Sequence, residues 1–373
     1  MLTVDSITMF QVRMALITPF RASSHAASAL DHILVRMTAG EYEGWGECSA
    51  PADPYYLGET VESSWHVLSE FLAPRVVSQT FSTIEELVAL YGNVKGNTFA
   101  RAAIETAGWD LLGRSLGVSV STLLGGTRTT TESGVSLGME DSLGALLDHV
   151  ERYVAEGYRR VKVKIAPGKD RSVLEALRHR FPALPIMGDA NSAYRLEDAT
   201  HLASLDDLDL MMLEQPLAWD DLVDHAALQE QLKTSICLDE SIRSARSAAA
   251  AIRLRSCRIV NVKAGRVGGL LEARRVHDQF HAAGIPMWCG GMHDYGIGRA
   301  ANLALSSLPG FSIPGDVSGS DKYFVEDIIE TPICAKQGVL VIPDGPGLGV
   351  TPRLDRILRR TVRARSFGRE LAG

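Results

Sequence analysis

Five short apolar runs, each ending in an ionisable residue, follow one another between Val161 and Lys263: VKVKIA, IMGDAN, MMLEQP, ICLDES and IVNVKAG. The ionisable groups are Lys162 and Lys164, then Asp189, Glu214, Asp239 and Lys263. Successive acids are 25 residues apart, and Lys263 follows Asp239 by 24. That interval holds one parallel strand, one crossover helix and two short loops of a β/α barrel. A barrel gathers the C-terminal ends of its strands at one mouth, so residues about 25 apart in sequence meet in space. Three carboxylates meeting there repel one another unless a cation sits between them. The pattern implies a divalent metal held by Asp189, Glu214 and Asp239, with an ammonium on either side. Any one strand end taken singly is an ordinary solvated terminus. Packing alone does not explain the recurrence over five units.

Oxygen-only ligands favour a hard cation, Mg²⁺ first with Mn²⁺ as substitute, and no His/Cys cluster has zinc spacing. Such an ion suits a substrate carboxylate, because removing the adjacent α-proton builds charge that the metal stabilises. A lysine near a dication and a second ammonium is pushed toward its neutral, basic form. Lys164 and Lys263 are the candidates on the two sides. Lys162 alternates with Lys164, points the same way along its strand, and is assigned to the substrate carboxylate.

At 373 residues the chain can bury one large core and a smaller domain. Hydrophobic residues at 46% and charged residues at 22% are ordinary globular usage. A net charge of −7 argues against a general nucleic-acid partner. The five cysteines, Cys48, Cys237, Cys257, Cys289 and Cys334, form no CxxC pair and are expected as free thiols of a reducing cytoplasm. No apolar run is long enough for a membrane span, so a cytoplasmic protein is expected, in a homo-oligomer.

Residues 1–50 read as strands and 59–121 as helices, which together suggest a separate α+β domain. Between the first two strands, TPFRASSHAAS (18–28) reads either as a solvated hairpin connection or as a lid, with PYYLGE (54–59) as a possible second part of it. Barrel strands are expected from ESGVSLG (132–138) through PMWCGG (286–291) to FSIPGD (311–316), eight in all. The expected domains are 1–125 as cap, 126–325 as barrel and 326–373 as a tail. IIETPI and GVLVIP in that tail read as strands returning to the cap, and the Arg-rich end reads as a solvated helical face in preference to an interaction tail.

The Lys-x-Lys, Asp, Glu, Asp and Lys series resembles the enolase superfamily, in its muconate-lactonizing branch. KAGRVGG (263–269), MWCGGM (287–292), GIGRAAN (296–302) and IPGDVSGS (313–320) narrow the resemblance to the group of o-succinylbenzoate synthase and N-succinylamino acid racemase. The resemblance implies an α/β fold: a TIM-like (β/α)7β or (β/α)8 barrel, capped by an α+β domain that combines the N-terminal part with the C-terminal tail. It implies Mg²⁺-dependent abstraction of a proton α to a carboxylate, with Lys164 and Lys263 as catalytic groups. The synthase reaction also implies menaquinone biosynthesis. Dipeptide epimerisation and muconate cycloisomerisation are same-branch alternatives, the first disfavoured because Gly-Asp-Val-Ser stands where the epimerases carry Asp-x-Asp. A non-catalytic barrel is the alternative from another class, but all six site positions are filled.

Other residues carry two readings each. Asn191 and Glu240 adjoin the acids and support them or are simply structural. Arg266 is either a surface residue at a helix start or a second cation beside Lys263, which the resemblance ties to the racemase-competent group. Ser136 touches substrate or caps a loop. Gly291 is placed against substrate at the mouth. Asp316 is a site residue or a buried structural acid, the second reading being preferred. His293-Asp294-Tyr295 replaces the aliphatic-Glu-Thr usual after GGM, so His293 either adds a polar contact to the substrate tail or presents only its backbone. The side chain or acyl group of the substrate is set by loops and is not legible here.

Overall fold

The computed structural model describes residues 1–21, 26–138, 140 and 142–369. Its N-terminal part is an antiparallel meander of β1 (Ser6–Arg21), β2 (Ala26–Ala39) and β3 (Tyr42–Cys48). Alternation puts Ile7, Met9, Ile33, Val35 and Met37 in the core. Helix α1 (Thr98–Leu116) lies directly on β3. The approach is close because Gly46 faces it: a Cβ there would come within 2.0 Å of the Ala103 carbonyl oxygen. The Trp45 amide donates to Asp110 Oδ2 at 2.8 Å, tying strand to helix. Glu59 accepts from the Phe99 and Ala100 amides at 3.0 and 2.9 Å, capping the start of α1. That bond also anchors the end of the PYYLGE segment.

The second part is a parallel sheet of seven strands in sequence order: β4 (Val135–Leu137), β5 (Val161–Lys164), β6 (Ile186–Asp189), β7 (Met212–Glu214), β8 (Ile236–Leu238), β9 (Ile259–Val262) and β10 (Met287–Cys289). Helices follow the strands, among them α2 (Leu270–Ala282) and α3 (Gly296–Ser306). The expected eighth strand, 311–316, is not a regular strand. It closes the barrel through isolated parallel bridges, Met287 to Phe311 and Ser133 to Gly315. Pro314 has no amide hydrogen and interrupts the ladder there. Met187, Met212, Cys237, Ile259, Trp288 and Ile313 form a second, separate apolar cluster.

The tail departs from expectation in two ways. Val339–Val341, within GVLVIP, pairs with Thr130–Glu132 ahead of the barrel, while IIETPI forms only a bridge between Ile329 and Pro352. The Arg-rich end continues from α4 (Leu354–Arg360) into β11 (Thr361–Gly368), which pairs antiparallel with β1 as the edge of the cap sheet. Its alternation of Arg363 and Arg365 with Ala364 and Ser366 is a strand period. The arginines are paired, Arg363 with Glu62 at 2.7 Å and Arg360 with Glu326 at 2.5 Å.

Two acids of the N-terminal part reach the barrel. Glu47 accepts from the Tyr295 and Gly298 amides at 2.8 and 2.7 Å, at the start of α3, and bonds His32 Nδ1 at 2.7 Å. Glu105 accepts the Leu271 amide at 2.7 Å, at the start of α2. Gly269, which precedes that helix, has φ +133°, and a Cβ would meet Glu105 Oε2 at 2.2 Å. A glycine is required there on both counts. Among the described residues, no helix is long and apolar enough to cross a membrane.

Candidate active site

Strand register sets the site. Lys164 pairs with Asp189 and Asp189 with Glu214, so these three sit in one row at the ends of β5, β6 and β7. Glu214 pairs with Cys237, and Asp239 lies just beyond the end of β8. Lys263 directly follows β9. In sheet order the row is Lys164, Asp189, Glu214, Asp239, Lys263. All five are at the strands' C-terminal ends, and Lys164, Asp189, Asp239 and Lys263 line a cavity of about 580 Å³. Lys162, Ser136, Asn191, Glu240, Gly291 and His293 line the same cavity.

Each acid of the row is turned to cations. Lys164 Nζ is 2.7 Å from Asp189 Oδ2, Lys162 Nζ is 3.0 Å from Glu214 Oε2, and Lys263 Nζ is 2.9 Å from Asp239 Oδ2. Asp239 also pairs with Arg266. Among the described residues, no three acidic, histidine or cysteine side chains have their donor atoms gathered as a ready metal cage. The donor chemistry nevertheless fits a hard cation. The three acids are buried, and the buried oxygens Glu240 Oε2 and Asn261 Oδ1 have no hydrogen-bond partner. Glu214 is held above the usual carboxylate range by burial and by Asp189. Uncompensated acceptors and a disfavoured carboxylate charge are what a bound dication relieves.

The expected downward pull is not exerted on Lys263 by the side chains alone. Burial opposes the charge on Lys263, but Tyr56, Glu214 and Glu240 outweigh it, and its pKa stands above the ordinary lysine value. Burial likewise opposes the charge on Lys162, and Asp316, Glu214 and Asp189 overcome it. A cation held by the same carboxylates would offset these anions.

Asn191 takes both supporting contacts: its Oδ1 accepts from Lys164, and its Nδ2 donates to Glu240 Oε1 at 3.1 Å. Burial raises Glu240 to about 7. Arg266 is fully buried, not a surface arginine, and donates Nε to the Ile242 carbonyl at 2.8 Å. His293 is half-buried with φ +58°, its ring edge-on to Tyr323 at 5.0 Å. Burial and Lys322 lower its pKa to about 3, so the imidazole is neutral. Ser136 faces the cavity while its carbonyl accepts from Lys322 at 3.3 Å. At Gly291 a Cβ would lie 3.2 Å from the Asp316 carbonyl oxygen, which keeps this wall flat.

Two contacts escape a sequence reading. Tyr56 hangs over the row from the N-terminal part: Lys263 Nζ donates to its hydroxyl at 3.0 Å, and the hydroxyl donates to Asp239 Oδ1 at 3.2 Å. Only its place in PYYLGE hints at this. Asn261 donates Nδ2 to Glu214 Oε1 at 2.8 Å. The signal was present, since Asn261 alternates with Lys263 and so shares its face. The lid reading of 18–28 includes residues 22–25, which lie outside the described residues.

Residues 5–125 match the mandelate racemase / muconate lactonizing enzyme N-terminal domain, and residues 145–356 match the enolase C-terminal domain-like family. An o-succinylbenzoate synthase of Geobacillus kaustophilus is 45% identical over 369 residues, 99% of this chain and 98% of that one. An N-succinylamino acid racemase of Amycolatopsis is 45% identical over 350 residues, 94% and 95% of the two chains. A solved member of the enolase superfamily from Listeria innocua superposes with a TM-score of 0.95 at 38% identity, covering 98% of this chain and 99% of that one. With both domains matched and relatives aligned over nearly its full length, the chain belongs to the enolase superfamily.

Proposed function

We propose that this protein abstracts a proton α to a carboxylate, as an o-succinylbenzoate synthase, an N-succinylamino acid racemase, or both. The observation that carries this reading is the row Lys164, Asp189, Glu214, Asp239, Lys263, three acids between two lysines, of which Lys164, Asp189, Asp239 and Lys263 line one cavity. Asp189, Glu214 and Asp239 would hold Mg²⁺ or Mn²⁺. When bound, the ion stabilises the charge that develops on the substrate carboxylate.

The chain's own residues do the rest. Lys162, on the cavity side of β5, holds the substrate carboxylate. Lys164 takes the α-proton from one side. In racemisation Lys263 returns a proton from the other side. In the synthase reaction Lys164 acts as base and then as acid for loss of water, while Lys263 remains a cation. Asn191 positions Lys164 through its Oδ1 contact. Arg266 and Tyr56 set the charge and direction of the Lys263 ammonium. The cap closes the cavity over this row and reduces water at the reacting carbon.

The test is direct assay of o-succinylbenzoate formation and of racemisation across N-succinyl and N-acetyl amino acids, with added Mg²⁺ or Mn²⁺. Turnover of at least one of these substrates, lost on chelation, is the expected result. No turnover across the whole panel with either metal present contradicts the reading.

A further inference from the structure

Asp316 ends the irregular segment that closes the barrel, and the mechanism above does not use it. Of the acids around Lys162 it is the nearest. Lys162 Nζ is 2.6 Å from Asp316 Oδ2, against 3.0 Å to Glu214 Oε2 and 3.4 Å to Asp189 Oδ2. Behind Asp316 stands Arg160, with no exposed surface, paired to Asp316 Oδ1. Arg160 is fixed on its other sides, donating Nε to the Pro314 carbonyl at 2.9 Å and Nη1 to Met187 Sδ at 3.0 Å. Its guanidinium lies 4.9 Å from the centre of the Trp288 ring, and Lys162 Nζ lies 5.0 Å from the same ring. Two cations thus share one indole and one carboxylate deep in the barrel.

The consequence concerns competition. Glu214 and Asp189 are needed for a cation of charge two, and an ammonium resting on them opposes that cation. A third carboxylate on the far side of the ammonium divides its attraction. With that carboxylate neutral, the whole attraction falls on Glu214 and Asp189. The guanidinium behind Asp316 fixes the direction of the pull, because its planar fork holds the carboxylate in place.

We propose that Asp316 is a positioning residue that takes part of the Lys162 ammonium's attraction and so lessens its competition with a divalent cation for Asp189 and Glu214. This rests on the reading that the strand-end acids hold such an ion.

The test is Mn²⁺ affinity of the full chain near neutral pH, read by electron paramagnetic resonance of free Mn²⁺ and by calorimetry, without substrate. Removing both members of a buried pair avoids a lone buried charge, so the informative variants are Arg160→Met, Arg160→Met with Asp316→Asn, and those two with Lys162→Met. Thermal melts establish that each is folded. Arg160→Met alone should bind within about threefold of wild type, because Asp316 still faces Lys162. Adding Asp316→Asn should weaken binding about tenfold or more, and adding Lys162→Met should restore it, because the competitor is gone. Wild-type affinity in the Arg160→Met, Asp316→Asn protein overturns the proposal. So does a weakening that Lys162→Met does not relieve, which marks a merely structural role. Should that double variant lose its cooperative melt, Asp316→Glu and Asp316→Asn take its place, and equal affinity in the two overturns the proposal. Failure of the wild type to bind Mn²⁺ would instead remove the reading on which it rests.

Discussion

Lys263 carries the sharpest single-residue prediction. Arginine in its place keeps a positive charge but cannot serve as a base, since it stays protonated. Racemisation by Lys263→Arg should fall by about a hundredfold or more, on the scale general-base catalysis contributes. Synthase turnover, which needs only a cation there, should keep a measurable fraction. Lys164→Arg should stop both. Turnover of both substrate types by both variants checks this, and unimpaired racemisation in Lys263→Arg removes the two-lysine mechanism. Asp239→Asn replaces an anionic ligand with a neutral amide, poorer for a hard dication. It also leaves Arg266 and Lys263 without their shared carboxylate. Calorimetry should show Mg²⁺ affinity reduced about tenfold or more, and unchanged affinity would take Asp239 out of the site. These residues were legible because each ends an apolar run at a repeating interval. Tyr56 was not placed and Arg266 was left between two readings, because a loop tyrosine and a helix-start arginine take their roles from which domain folds over them.

At the level of elements, α1 is held by groups whose environment sequence cannot supply. Glu105 lies within it, buried, and its carboxyl is raised to about 7 from an ordinary 4.5, chiefly by burial. Between those values the native state keeps a proton that the unfolded chain has lost. Stability therefore falls as pH rises from about 4.5 to about 7 and is level above, by about 3 kcal/mol from this group. Asp110, raised to about 6 by burial, adds a slope of the same sign over a lower window. Oε1 of Glu105 accepts both the Leu271 amide and Trp109 Nε1. Glu105→Gln can keep that acceptor, so it should flatten the slope and raise Tm at pH about 8; an unchanged slope in melts across this range contradicts the assignment. Gly46→Ala, forcing a methyl onto the Ala103 carbonyl, should cost about 3 kcal/mol by denaturant unfolding. The barrel strands and helices were readable from their periods. The eighth strand was not: Pro314 breaks its ladder, and only two bridges remain. Strand β11 was misread because its arginines suggested a solvated helix, whereas their alternation is that of an edge strand whose charges meet Glu62 and Glu70.

For the molecule as a whole, the cap and barrel are joined by acids of one part seated on helix starts of the other, Glu47 on α3 and Glu105 on α2. The cavity lies at this joint, lined by Tyr56 from the cap and His293 from the barrel. The central claim is that two lysines on opposite sides of a carboxylate triad exchange an α-proton. Solvent exchange tests it most directly: an N-succinyl amino acid, as each pure enantiomer, is incubated with enzyme and Mg²⁺ in deuterated water, and the α-proton signal is followed by NMR. Wild type should label at least one enantiomer, and both if it racemises, and the Lys164→Arg, Lys263→Arg double variant neither. Exchange that persists at the wild-type rate in the double variant would contradict the account.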